Sequence, residues 1–316
     1  MSSSSLPRLA ELRHTAVLTV GGSDATEFLH AQLSCDLRTL PEHTFALGAW
    51  HSPSGKVKAL VRLLRTESVW RLTTTRESAS KTVADLSRFV LRDDVDLHDS
   101  SDHWGVSAVI GESSKWLATE GIPLGRESGQ TATSGELNWL RIGPELVHVL
   151  GPLEALTALS TRLPRTTEDS AVAAEISLGL PSLPGDLSER FVPQMLNLDL
   201  LGALNAGKGC YPGQEVIART QNLGSVKRRA QRFSLPCEGS VDPGSHIVDD
   251  HGEVVGDVLR AATTEKGIEL LAVVRLTSIE SALHLETGPQ LTLRHESLPY
   301  SDRVNPVPPA SGAETE

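Results

Sequence analysis

GKGCYPGQE, residues 207–215, sets three glycines and a proline around one of the chain's three cysteines and one of its two tyrosines. Glycine has no Cβ and enters positive φ without penalty, so this stretch predicts a tight irregular turn in which several amides can face one point. The residues that follow, Gln214-Glu215-Val216-Ile217-Ala218-Arg219-Thr220, are helical material closed by Asn222 and Gly224. Cys210 is therefore expected just before a helix start, with Lys208 two residues away. A helix N-terminus and a nearby cation both favour the thiolate, the form that acts as nucleophile or metal ligand. A buried structural cysteine in a glycine turn is the plainer alternative.

Two other readings of the stretch fail on spacing. Gly202-Ala-Leu-Asn-Ala-Gly207-Lys208 satisfies the first part of a phosphate loop, but Gly209 stands where that loop needs a Ser or Thr hydroxyl for magnesium. Gly207, Gly209 and Gly213 are one residue too far apart for a dinucleotide fingerprint. No histidine adjoins Cys210, so nothing local resembles a Cys-His protease pair.

The rest of the chain sets the limits. With 316 residues, 39% hydrophobic and 22% charged, it has material for two or three cored domains. A net charge of -11 disfavours nonspecific attraction to nucleic acid or anionic membrane, and at 4% aromatics base-stacking platforms are scarce. No apolar run approaches the roughly 20 residues of a membrane helix, and MSSSSLPRLAELRH lacks a secretory core, so the expectation is cytoplasmic, with no membrane and no nucleic-acid partner. Cys35, Cys210 and Cys237 are widely spaced without a CxxC pair, which suits neither a disulfide framework nor a zinc site, and no bound metal is expected.

Periodicity gives an α+β fold. Residues 24–34 read as an amphipathic helix opened by an Asp24/Glu27 capping box. Residues 44–50 and 57–65 read as a hairpin around the turn at 53–55, and 77–90 as a helix between strand-like runs. Strands are expected at 106–110, 139–142 and 146–150, then a helix with Pro152 in its first turn. The Gly/Ser/Thr-rich span 125–136 reads as a mobile surface loop. Residues 1–225 thus form an α+β region. Short alternating runs in 226–302 predict a small C-terminal β-barrel, and 303–316 a disordered tail. The sequence His98-Asp99-Ser-Ser-Asp102-His103 carries metal-capable side chains but reads as a polar connector, and Lys227-Arg228-Arg229 as a solvated strand opening.

KGCYPGQE at 208–215 resembles the K-G-C-Y-x-G-Q-E signature of the YgfZ family of folate-binding proteins, relatives of the glycine cleavage T-protein that support iron-sulfur cluster assembly or repair. The flanks from FVPQMLNLDLL through QNLGSVKRR resemble the same family, as do FLHAQLSCDL, HSPSGKVKALVRLLR and GEVVGDVLRAATTEKGIELLAVVRL. The resemblance implies three lobes around a central cavity that holds tetrahydrofolate, with iron-sulfur client or assembly proteins as partners. It implies Cys210 as the functional thiol at the cavity rim, with Lys208 lowering its pKa and drawing in the folate tail. It implies a folate site from Lys208, Gly209, Tyr211, Gly213, Gln214 and Glu215, with Arg219 and Arg228 assisting. The rival is aminomethyl transfer of glycine-cleavage type; those enzymes resemble G-G-x-L-D-D where this chain has Lys58, Ala59 and Leu60, without the carboxylate that orients the reacting amine. Glu175 stands where the family usually has arginine, an acid expected to weaken anion binding nearby.

Overall fold

The structure, a computed structural model, describes residues 6–66, 68–223, 226–288 and 291–304. After β1 (Arg8–Glu11), the chain builds a first antiparallel sheet from β2 (Thr15–Gly21), β3 (Phe45–His51), β4 (Val57–Arg65), β5 (Trp70–Thr75) and β6 (Asp96–Asp99), ordered β3-β4-β5-β2-β6. Helices α1 (Ala25–Gln32) and α2 (Arg76–Ser87) lie within it in sequence. Alternation in VKALVRLLR works as its period predicts beyond a register shift at its start: Val61 and Leu63 enter the core with Phe28 and Leu29 of α1, while Arg62 points to the other face.

The second sheet joins β1 to β7 (Trp104–Ile110), β8 (Thr131–Ser134), β9 (Leu137–Gly143) and β10 (Leu146–Pro152), in the order β1-β7-β10-β9-β8. Helices α3 (Ser114–Thr119) and α4 (Leu153–Leu159) contribute Trp116, Leu117 and Leu156 to its core, and α5 (Glu168–Ser177) follows. After α6 (Gln214–Leu223), the third sheet takes β11 (Arg228–Leu235), β12 (His246–Val248), β13 (Val254–Thr264), β14 (Gly267–Arg275), β15 (His284–Leu285) and β16 (Arg294–Glu296), with α7 (Ser301–Val304) at its end. One apolar core is common to all this: Val57 and Leu60 of β4, Ile176 of α5, Leu196 and Leu198, and Leu259 and Val273 of the third sheet pack together.

The fold is thus α+β, with several local departures from the sequence reading. The C-terminal unit is a six-stranded half-barrel ordered β15-β12-β13-β14-β11-β16, whose two ends meet where the Leu293 amide donates to the Leu283 carbonyl at 2.8 Å. Span 125–136 is not wholly loop: Thr131–Ser134 pairs with Leu137–Leu140 around Gly135 at φ 59°, a turn whose glycine supplies the needed conformation. The Asp24/Glu27 box does not form, because Asp24 instead accepts a hydrogen bond from the Asp94 amide at 2.8 Å and Glu27 pairs with Arg38. Strands β1 and β2 were not anticipated; β2 is buried on both faces, so it shows no alternation. Gly224 and tail residues 305–316 lie outside the described residues, as does the junction at 225.

Candidate functional site

The GKGCYPGQE turn faces two ways. Lys208 is buried, and its ammonium donates to the backbone carbonyls of His30 and Leu33 at the end of α1. It lies 5.1 Å from the centroid of the Tyr211 ring. Loss of water draws its pKa down to about 8, while Cys35 and Asp36 act in the opposite sense. Tyr211 is also buried, tilted against His51 at 5.8 Å between ring centroids, and burial pushes its phenol up. Cys210, between these two inward residues, is exposed with Gly209.

Close approach explains the last glycine of the motif. Gly213 has φ 79°, and a Cβ there would stand 2.6 Å from the Ser52 carbonyl and 2.8 Å from the Gly55 Cα. The turn at 52–55 is thereby pressed against the start of α6, where Ile217 is buried and its carbonyl accepts from Gln194 Nε2 at 3.0 Å. Asn205 closes the other side, its Oδ1 accepting from the amides of Gly207 at 2.8 Å and Lys208 at 3.0 Å. The result is a thiol held outward on a braced loop. It can meet an electrophile, a metal ion or a sulfur donor delivered from solution.

The remaining candidates are placed elsewhere. Lys208 directs its charge to α1 rather than into solvent beside Cys210. Arg219 pairs with Glu215 at 3.0 Å on the exposed face of α6. Arg228 binds Asp257 at 2.8 Å, a carboxylate shared with Arg190 and His246. Gln214 is partly exposed at the first position of α6. His98 pairs with Asp96, and Asp99 accepts from the Ser101 amide, so that segment fastens a turn. Among the described residues no group of three or more His, Cys, Asp or Glu side chains is disposed to hold a metal.

A cavity of about 660 Å³ lies close to this loop, within the size range of small-molecule sites. Leu47, Leu178, Leu201 and Leu204 give it apolar walls. Asp36, Arg62, Asn205 and Tyr300 add polar groups, and Cys35 lines it beside Asp36. Burial pushes the Cys35 thiol up to about 11, so it stays protonated. Cys210 and the other sequence-nominated residues are not in this wall; Asn205, which lines it, ties it to the loop. Sequence reasoning missed Arg62, whose one signal was its place opposite Val61 and Leu63 in the β4 alternation.

Two charged clusters bear on the chemistry. Where the aminomethyltransferase pattern carries its two aspartates this chain has Ala59 and Leu60, both core residues, and the preceding Lys58 sits 3.7 Å from the centroid of the Trp50 ring and 3.4 Å from Asp85. Asp85 is also claimed by Lys81 at 2.6 Å, and Lys81 foremost holds its carboxyl below the usual range. Glu175, buried to 2% exposure, accepts from Arg62 and Arg260, each at 2.8 Å, with His148 Nε2 at 3.5 Å. It joins α5 to β4, β10 and β13, one strand from each sheet.

Curated relatives agree on kinship. The chain is 25% identical over 317 residues to the tRNA-modifying protein YgfZ of Colwellia psychrerythraea, covering 95% of this chain and 98% of that protein. To the protein of the same name from Cronobacter sakazakii it is 27% identical over 309 residues, covering 95% and 92%. The glycine cleavage system aminomethyltransferase T from Bartonella henselae superposes with a TM-score of 0.74 at 18% identity, covering 94% of this chain and 87% of that one. These similarities, which span most of the chain, support a YgfZ/T-protein-like family. No family model matches the chain. The name these YgfZ relatives carry refers to tRNA modification, a context the sequence reading did not include. No helix among the described residues is long and apolar enough to cross a membrane.

Proposed function

We propose that this YgfZ-like protein binds tetrahydrofolate and supports assembly or repair of iron-sulfur clusters in client enzymes, with Cys210 as its working thiol. The observation that carries this reading is the outward thiol on a loop braced from three sides, by α1 through Lys208, by the turn at 52–55 through Gly213, and by Gln194 through Ile217. A cysteine kept for packing would face inward. The cavity of about 660 Å³, with apolar walls and polar groups between them, suits a pterin and its aromatic linker in size and character, and Arg62 offers a cation for an anionic tail. In this reading folate is held inside and the thiol works at the surface, where iron or sulfur is received from a partner. The relatives' name favours a client that acts in tRNA modification.

Aminomethyl transfer of glycine-cleavage type is disfavoured by Ala59 and Leu60, core residues where that chemistry needs a carboxylate. The amine-orienting carboxylate is missing from β4, and the nearest one, Asp85, is occupied by lysines, which removes a positioned group worth roughly 10²- to 10⁴-fold. Cells lacking this protein provide the test: wild type restores the activity of a [4Fe-4S] enzyme and Cys210→Ala does not. Equal rescue by both removes the thiol from the function. Titration with tetrahydrofolate, followed by turnover with an aminomethyl-lipoyl carrier, gives binding without product.

A further inference from the structure

Resting on the reading that the 660 Å³ cavity holds a folate, we propose that Arg62 selects the ligand by its carboxylate end, and that Glu175 is the positioning residue that holds Arg62 for that task. Charge balance around Glu175 supplies the argument. One carboxylate accepts from two guanidiniums, Arg62 and Arg260, both at 2.8 Å. His148 stands 3.5 Å away and is kept neutral, since burial pulls its pKa down to about 3. The trio therefore keeps one positive charge in excess.

Geometry decides which arginine presents that excess. Arg260 is 7% exposed and closed in, its Nη1 turned to the Leu180 carbonyl at 3.5 Å. Arg62 is 18% exposed and lines two spaces at once: a small one of about 40 Å³ on the Glu175 side, and the large cavity on the other. Its Nη2 is given to Glu175, and its other guanidinium nitrogens make no hydrogen bond among the described residues. That carboxylate is shared with Arg260, so the Arg62 charge is only partly matched, and a guanidinium fork matches a further carboxylate in two parallel hydrogen bonds. The acid on the same wall does not compete for it: Asp36 is engaged by the amide of Arg38 at 3.0 Å and lies 3.3 Å from His30 Nδ1. Glu175, an acid where the family resemblance leads one to expect arginine, thus orients a cation toward the cavity rather than opposing an anion there.

Equilibrium binding to the full chain tests this with two probes, 5-formyltetrahydrofolate and the corresponding pteroate that lacks the glutamate. Wild type binds the glutamate-bearing probe about ten- to a hundredfold more tightly, the range for one charge-assisted contact. Arg62→Gln brings the two probes within about twofold, while Arg62→Lys, which keeps the charge without the fork, retains part of the preference. Should Arg62→Gln melt below the assay temperature, the double variant Arg62→Met/Glu175→Gln, which removes both charges together, must lose the preference instead. A folded Arg62→Gln that keeps the full preference overturns the assignment and leaves the folate reading standing. A wild-type chain that binds neither probe overturns both.

Discussion

Cys210 and Cys35 are the same residue type in opposite settings, and their reactivity follows from that. Cys210 is exposed on its loop, whereas Cys35 is buried and its thiol is raised to about 11, so almost none of it is thiolate at neutral pH. A disulfide reagent added to the native protein should therefore label Cys210 in its fastest phase, and Cys210→Ser should abolish that phase. Cys237, of intermediate exposure, should react between the two and Cys35 only on unfolding; fast labelling of Cys35 in the native protein would contradict the geometry. The place of Cys210 just before a helix was legible in the sequence; its exposure was not, because a buried cysteine fitted the same glycine turn. The destination of Lys208 was not, since the carbonyls it meets belong to residues 175 and 178 positions earlier in the chain.

At the level of elements, the loop is made by its contacts with other segments as much as by its own turn chemistry. Gly213 combines positive φ with backbone at 2.6 and 2.8 Å from the place a Cβ would take, whereas at Gly209 nothing lies within 4 Å. Gly213→Ala should cost about 1–3 kcal/mol and lower the melting temperature, with Gly209→Ala within about 0.5 kcal/mol of wild type. Thermal unfolding of the two variants side by side checks this. The motif showed that glycines mattered and not which one carried a steric load, because the opposing turn at 52–55 is remote in sequence. The β3–β4 hairpin was readable from alternation and its turn, while β2, apolar on both faces, carried no period to read.

Across the whole molecule, buried histidines make stability depend on acid. His51 and His148 are both held neutral by burial, with pKa values lowered to about 3. Between about pH 6.5 and 3 the unfolded chain binds protons that the folded one refuses, so stability falls as pH drops through that window, by up to about 1.4 kcal/mol per pH unit for each group. Urea titrations between pH 6.5 and 4 should show a slope that His148→Gln reduces; an unchanged slope would mean the imidazole is protonated in the fold. The joint around Glu175 was invisible in the sequence, because its four residues come from α5 and three different sheets. The tie from Lys208 to Leu33 has a mechanical corollary. Leu33 stands two residues before Cys35 and three before Asp36, both in the cavity's wall, so the thiol's perch and that wall share a mooring. Displacing either one must strain the other.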